Sequence, residues 1–276
     1  MPRAQASDGA ELHWEERGSG PTVLFAAHWS LHPMLWEPLT VDLERDHRVV
    51  RYDDRGTGAS ERVGPYDLET ATKDLEAVAD AVGGAPMIVV GIMDGVNKAV
   101  RVAARRPDLI SHVLAPGGAP LGRRALAGYD SMIASNTVVA AFMQQLETDY
   151  RASIRSLVEA ANPLMSQDDV RARVAGQAEH VPMEVASVRV RDWADDNDAE
   201  EPCRELGDRM VILISHQITA GWWPGPEVMG PLLDEHFPEA VVRVVEDGII
   251  SRPDLAAAVI RERTTADLES TASRKK

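Results

Sequence analysis

The segment 87–106 dictates a sharp reversal between a strand and a helix. Met87–Val90 is a short apolar run that predicts a buried strand, and helical spacing resumes from about 97 to 106. Between them, Gly91 and Gly95 supply two small positions that let the backbones of strand and helix approach closely across a tight turn. The pattern therefore predicts a fold in which helices pack directly against a sheet.

Strand and helix patterns alternate along most of the chain. This alternation predicts a mostly parallel, doubly wound sheet covered on both faces. Residues 123–209 show helical patterns only, and we expect them to lie over the carboxyl ends of the strands, where ligands bind in such sheets. We predict a core at 1–120 and 207–276, a helical cap at 121–206, and a frayed polar tail at 264–276. Strands are predicted at 11–17, 22–27, 47–52, 87–90, 109–114, 210–215 and 241–245, and helices at 33–44, 68–82, 228–236 and 252–263.

The composition excludes several classes of function. A net charge of −15 argues against nucleic acids and anionic membranes as partners, because both repel an acidic surface. Cys203 is the only cysteine, so neither an intrachain disulfide nor a cysteine metal cluster is expected. The sequence shows no phosphate loop and no zinc spacing, and we predict no cofactor and no metal. It also shows no leader pattern and no apolar run long enough to span a bilayer, which predicts a cytoplasmic protein.

Four segments together resemble the α/β-hydrolases. Residues 25–30 (Phe-Ala-Ala-His-Trp-Ser) resemble the strand that ends in His-Gly-x and forms half of the oxyanion hole. Residues 53–60 (Asp-Asp-Arg-Gly-Thr-Gly-Ala-Ser) are similar to the D-x-R-G-x-G-x-S loop of that family, and residues 103–108 resemble the helix end after its elbow. Residues 91–95 resemble the nucleophile elbow, Gly-x-nucleophile-x-Gly. The resemblance implies the α/β-hydrolase fold with a helical cap insertion, and no catalytic role for Arg55 or Ser60.

The three positions at which this family carries its catalytic triad hold other residues. Met93 stands where the family has Ser, Cys or Asp, and a thioether has no proton to lose. Thr219 falls at or near the position of the acid, and Ile249 falls at that of the histidine. Because nucleophile, base and orienter act as one unit, we predict that triad hydrolysis is lost. The backbone amides of Asp94 and of Ser30 or Trp29 would keep the shape of the oxyanion hole.

Aromatic and apolar side chains near the predicted site suit an apolar or aromatic ligand. Asp94 has three interpretations: a residue of the first helical turn, a carboxylate at the pocket floor, or a nucleophile in a shifted register. The third fits poorly, because Ile92 and Val96 are not small. His216 is either a general base or a hydrogen-bonded loop residue. The predicted substrate-binding residues are Trp29, Ser30, His32, Met93, Asp94, His216, Trp222, Trp223 and Ile249.

Loss of the triad leaves three functions open. The first is a non-hydrolytic isomerase, because the chain resembles the peptide epimerases of this fold in bottromycin biosynthesis, which also lack the triad. That resemblance implies a role in ribosomal-peptide antibiotic biosynthesis: inversion of an aspartate Cα beside a thiazoline or thiazole, with the substrate's own carboxylate carrying the proton. The second is a ligand-binding protein without turnover, and the third is a hydrolase with a relocated catalytic set, Asp94 and His216. The expected partner is a modified peptide or another small apolar or aromatic ligand, with a pathway enzyme as a further candidate.

Overall fold

A computed structural model describes residues 2–29, 36–129, 135–161, 165–215, 224–245 and 252–274, without the side chains of 160, 161 and 268–274. Within these ranges, eight strands form one sheet in the order β1-β2-β4-β3-β5-β6-β7-β8. The first two strands run antiparallel to their neighbours, and the others pair in parallel, as predicted. The strands are β1 (Arg3–Gln5), β2 (Glu11–Gly18), β3 (Thr22–Phe25), β4 (Arg48–Tyr52), β5 (Met87–Val90), β6 (Ile110–Pro116), β7 (Met210–Ile214) and β8 (Val241–Val244).

In the described ranges, six helices outside the cap insertion flank the sheet. One of them, 68–82, has the predicted bounds because its signals are local: the Asp67 side chain accepts a hydrogen bond from the backbone N–H of Thr70 at 2.8 Å, and apolar residues recur on one face. The six helices are α1 (Glu37–Leu43), α2 (Leu68–Val82), α3 (Asp94–Arg105), α8 (Glu200–Leu206), α9 (Pro226–His236) and α10 (Pro253–Arg274).

The last helix corrects the predicted frayed tail. Residues 264–274 continue α10 instead of fraying, because Thr264 is 9% exposed and its hydroxyl donates to the carbonyl oxygen of Ile260 at 2.9 Å. The same hydroxyl lies 3.1 Å from the imidazole Nε2 of His47, which connects this half of the helix to the core. The polar residues 264–274 can therefore continue the helix, which the buried contact between Thr264 and His47 holds against the core.

In the described part of the insertion between β6 and α8, the chain forms four further helices. A small apolar cluster holds two of them together: Ile154, Val158, Val170 and Val174. The insertion confirms the predicted helical cap, while the domain boundaries stay a prediction. One observation bears on them, since α8, inside the predicted range 121–206, contacts α3 of the core. The cap helices are α4 (Asn136–Thr148), α5 (Tyr150–Ala161), α6 (Gln167–His180) and α7 (Met183–Asp195).

The core lies on both faces of the sheet. On one face, Phe25 and Val90 pack with residues of α1 and α10, and on the other, Leu24 and Val89 pack with residues of α2 and α3. This arrangement follows from the period of two along a strand, which sends alternate side chains to opposite faces. Among the described helices, none combines the length and the apolar character needed to cross a bilayer.

Candidate functional site

The turn between β5 and α3 keeps the backbone of a nucleophile elbow. Met93 has φ 50° and ψ −127°, and it is the one non-glycine residue with positive φ in the described part of the chain. A Cβ on Gly91 would lie 2.7 Å from the carbonyl carbon of Gly95, and a Cβ on Gly95 would lie 3.1 Å from the carbonyl oxygen of Ala26. Close approach therefore requires a glycine at 91 and favours a small residue at 95, as predicted, and the strained position belongs to Met93.

Asp94, the residue after the elbow, is a buried carboxylate. Its side chain is 0% exposed, one oxygen accepts a hydrogen bond from the backbone N–H of Trp29 at 3.3 Å, and the other accepts one from Nη2 of Arg189. Burial raises the pKa of Asp94, and the positive charge of Arg189 opposes that shift. The positive φ of the elbow falls on Met93 and not on Asp94, which argues against a shifted register for Asp94. Asp94 is the first residue of α3, in agreement with the interpretation as a residue of the first helical turn. Its carboxylate is also paired with a cation of the protein, Arg189, and a place at the floor of a pocket stays a prediction.

Asp94 belongs to a larger set of ionised groups, which we call the buried charge cluster: Asp54, Asp94, Lys98 and Arg189. Their side chains are between 0% and 5% exposed. Nη1 of Arg189 lies 3.4 Å from Oδ2 of Asp54, and the ammonium of Lys98 lies 2.7 Å from the same oxygen. Two carboxylates and two cations make the cluster electrically neutral, which is the condition under which buried charges are tolerated.

The pKa directions follow from these contacts. Burial lowers the pKa of Lys98, although the carboxylate of Asp54 opposes the shift. Burial would raise the pKa of Asp54, but the charges of Lys98 and Arg189 outweigh it and lower that pKa. Burial would lower the pKa of Arg189, but the carboxylates of Asp94 and Asp54 outweigh it and raise that pKa. Attraction between the charges thus outweighs burial at Asp54 and Arg189, whereas burial outweighs it at Asp94 and Lys98.

The buried charge cluster fixes the segment that resembles the oxyanion loop. The ammonium of Lys98 donates to the carbonyl oxygen of Ala27 at 2.7 Å, while Asp94 accepts from the amide of Trp29. Both ends of residues 27–29 are thus bound to groups on α3. Arg189 lies on α7, so the same charges also attach the cap to the elbow.

Trp29 lies inside the junction between cap and core. The residue is 1% exposed, and its ring centroid lies 6.1 Å from that of Phe142 and 6.3 Å from that of Trp193. Its carbonyl oxygen accepts a hydrogen bond from Nε2 of Gln177 at 3.1 Å. The sequence predicts Trp29 at a reshaped entrance, whereas the structure places the ring in a packed interior; a role in ligand binding stays a prediction.

The sequence analysis did not single out Gln177 or Arg189, although the position of Arg189 on an apolar helical face could have indicated a buried charge. On α7, Val185, Val190 and Trp193 are buried, and Arg189 lies on the same face, with Val185 and Trp193 one helical turn away. A charged residue within an apolar helical face requires a buried counter-charge. The partner could not be identified from the sequence, because Asp94 lies 95 positions away.

Of the other residues singled out from the sequence, some lie in the described ranges and some outside them. Arg55 pairs with Asp74 at 2.8 Å, and the hydroxyl of Ser60 donates to the carbonyl oxygen of Asp53 at 2.6 Å, in agreement with structural roles for that loop. In the described ranges, no group of three His, Cys, Asp or Glu side chains is arranged to hold a metal. The following predicted residues lie outside the described residues, and their roles stay predictions: Ser30, His32, His216, Thr219, Trp222, Trp223 and Ile249.

Comparison with solved structures establishes the fold. An esterase from Exiguobacterium antarcticum superposes with a TM-score of 0.76 at 17% identity, covering 95% of this chain and 98% of the esterase. At that identity the likeness shows the fold alone. The chain has the α/β-hydrolase fold, with a mostly parallel sheet, flanking helices and a helical cap.

Curated proteins match parts of the chain. A non-heme haloperoxidase from Rhodococcus erythropolis is 34% identical over 107 residues, which is 38% of this chain and 39% of that protein. A 2-(acetamidomethylene)succinate hydrolase from Mesorhizobium japonicum is 24% identical over 180 residues, which is 64% of this chain and 56% of the hydrolase. The matches thus span between two fifths and somewhat over half of these relatives' lengths. No protein-family model matches the chain.

Proposed function

We propose that this chain binds an apolar or aromatic ligand beneath its cap and acts on it without triad hydrolysis. The observation that carries the proposal is Met93, which occupies the strained elbow position and has a thioether in place of a nucleophile. The adjacent carboxylate of Asp94 is engaged by Arg189 and by the amide of Trp29. Its use as a nucleophile would require a buried ion pair to be broken, which costs several kcal/mol, about 3 to 5.

The reaction we favour is inversion of an aspartate Cα next to a thiazoline or thiazole in a modified peptide, as in the peptide epimerases that the chain resembles. That carbon is acidic, because its carbanion is conjugated with the C=N bond of the ring. The substrate's own side-chain carboxylate takes the proton, so the C–H bond breaks as an O–H bond forms. This acidic O–H exchanges its proton with water, and a proton is then delivered from the carboxyl group to the opposite face as the C–H bond forms again. An enzyme then needs only to orient and desolvate the substrate, which an apolar chamber can do.

Deuterium uptake tests this reaction directly. A synthetic peptide that ends in aspartate and thiazole, incubated with the protein in deuterated water, should gain one deuterium at the aspartate Cα, and chiral analysis should show both epimers. The matched asparagine peptide has no carboxylate to carry the proton and should exchange much more slowly. Binding of both epimers in calorimetry with no exchange would instead indicate a ligand-binding protein without turnover.

A hydrolase with a relocated catalytic set is the second candidate. The relatives support it, since one is named a hydrolase and another a haloperoxidase. The set would be Asp94 and His216, although the ion pair of Asp94 with Arg189 argues against its use. Turnover of activated esters that disappears in Asp94→Asn, while the variant keeps its unfolding transition, would support this candidate. An absence of turnover across ester and epoxide panels would exclude it.

A further inference from the structure

The carboxylate of Asp53 joins the end of α6 in the cap to the core. Asp53 follows β4, and its Oδ1 lies 3.3 Å from the imidazole Nε2 of His180, the last residue of α6. Its Oδ2 lies 3.1 Å from Nδ1 of His13 on β2 and accepts a hydrogen bond from the backbone N–H of Ala59 at 2.9 Å. Burial would raise the pKa of Asp53, but the hydrogen bonds from His180 and Ala59 outweigh it and lower that pKa, which keeps the carboxyl group ionised as an acceptor.

Gly58 provides the room for this contact. It has φ 47°, and its backbone N–H donates to the carbonyl oxygen of His180 at 2.9 Å. A Cβ at this position would lie 2.6 Å from Cε1 of His180 and closer still to the carboxylate of Asp53. Any larger residue would therefore displace the imidazole or the carboxylate. The end of α6 thus rests directly on the backbone of the loop 53–60.

The attachment of α7 to the core differs in solvent access. Arg189 reaches Asp94 and Asp54 in the buried charge cluster, where the side chains are 5% exposed or less. The side chains of Asp53 and His180 are 13% and 16% exposed. Water can replace the hydrogen bonds at the end of α6 when they break, whereas separation within the buried charge cluster would leave unpaired charges in the interior. The end of α6 therefore separates from the core more easily than α7 does.

Release of α6 would uncover Trp29. Nε2 of Gln177, one helical turn before the end of α6, donates to the carbonyl oxygen of Trp29 at 3.1 Å. The backbone N–H of Trp29 donates to Asp94 in the elbow, so a released α6 leaves the residues beside the elbow open to a ligand. The apolar cluster of the cap joins α6 to α5, which allows these two helices to move together.

We propose that α6 is the movable part of the cap, that α7 is its fixed part, and that three residues hold α6 closed over Trp29. We call these residues the α6 latch: Asp53, Gly58 and His180. His180 is a positioning residue, because it acts on ligand entry through α6 and the contact of Gln177 with Trp29. The inference rests on the proposed function in one respect, since it specifies how a ligand reaches the site beneath the cap.

Hydrogen exchange followed by mass spectrometry, on the protein without ligand, tests the α6 latch. His180→Ala removes the side-chain contact, and exchange in 167–180 should accelerate about tenfold or more, because a hydrogen bond to a charged group contributes at least that factor. Exchange in 183–195 should change by less than about twofold, because the buried charge cluster still holds α7. Acceleration in α7 as large as that in α6, or none in α6, would overturn the proposal.

His236→Ala is the matched control. Like His180, His236 is the last residue of its helix, and its Nδ1 lies 3.2 Å from Oε2 of Glu200, with side chains 22% and 17% exposed. This pair lies outside the four cap helices, so its loss should leave exchange in 167–180 unchanged. His180→Gln, which keeps an N–H donor, should recover part of the protection. Acceleration of α6 in His236→Ala, or an equal effect of His180→Gln and His180→Ala, would contradict a local latch.

Access beneath α6 is measured with a cysteine in place of Gln177. This position is 1% exposed, so N-ethylmaleimide should label the thiol of Gln177→Cys only when α6 leaves Trp29. Adding His180→Ala should raise the labelling rate about tenfold. Cys203, which is 1% exposed on α8, is the internal control and should stay slow. An unchanged rate at position 177, or an equal rise at Cys203, would contradict the proposal.

Both measurements use the protein without ligand, so their outcome is separable from that of the proposed reaction. Local release of α6 without deuterium uptake into the aspartate–thiazole peptide would sustain the α6 latch and remove the epimerase. Deuterium uptake into the peptide with no local release of α6 would do the reverse.

Discussion

Replacing Arg189 with Met should destabilise the protein strongly. The substitution removes one positive charge from the buried charge cluster and changes its net charge from zero to −1, and Asp94, which is 0% exposed in the original protein, loses its cation. Breaking a buried pair by removing one partner costs about 3 to 5 kcal/mol, because the remaining charge is left uncompensated in the interior. That is a large fraction of the stability of an ordinary domain.

Arg191→Met provides the matched control on the same helix. Arg191 is 57% exposed and its partner Glu147 is 50% exposed, so its loss should cost less than about 1 kcal/mol. Urea unfolding followed by circular dichroism measures both variants. The double variant Asp94→Asn/Arg189→Met restores a neutral cluster and keeps an acceptor for the amide of Trp29, so it should recover at least half of the loss.

The destabilisation caused by Arg189→Met should also depend on pH. Burial raises the pKa of Asp94 in the folded protein, and removing Arg189 raises it further. A carboxyl group with a raised folded pKa favours the folded state below its unfolded pKa, and this contribution is lost as the pH rises through the folded pKa. The difference in unfolding free energy between the original protein and Arg189→Met should therefore narrow as the pH falls through the raised pKa of Asp94 in the variant. A loss below about 1 kcal/mol, or a gap independent of pH, would refute the account of the cluster.

Three further predictions follow from the site and the core. Met93→Ser should leave p-nitrophenyl acetate hydrolysis within about tenfold of that of Met93→Ala, because a serine without base and orienter is not activated, and a larger gain would overturn the assignment of the elbow. Cys203 is 1% exposed and burial raises its thiol pKa, so Ellman's reagent should label it about a hundredfold more slowly in native protein than in urea; equal rates would contradict its burial. Lys98→Met should destabilise by about 3 to 5 kcal/mol in urea unfolding, since Asp54 loses its nearest cation, and a loss under about 1 kcal/mol would show that the cluster is not dry.

Local features of the sequence were sufficient to predict much of the fold. The bounds of α2 follow from the Asp67 cap and from apolar spacing, and the elbow follows from Gly91 and Gly95, because these signals lie within a few residues of what they determine. The strand β1 was missed, since three residues are too few for a period to be detected. The extension of α10 was missed because the contact between Thr264 and His47 joins distant parts of the chain.

The candidate site was less predictable, because its contacts also join residues that lie far apart in the sequence. Met93 and Asp94 are next to each other in the elbow and could be singled out by motif. The partner that determines the state of Asp94 is Arg189, and nothing in the sequence shows which of the arginines reaches it. Trp29 was singled out for its size at a position where the family is small, but size alone does not say whether a ring points towards an entrance or into a packed junction with Phe142.

We propose that this α/β-hydrolase fold has kept its elbow without a working nucleophile. Incubation with a fluorophosphonate followed by intact-mass measurement tests it most directly, with an active serine esterase treated in parallel. We expect the esterase to gain one phosphonyl group while the mass of this protein stays unchanged, because Met93 offers no oxygen to phosphonylate. Stoichiometric labelling of this protein at a single serine or threonine would show that a working nucleophile is present.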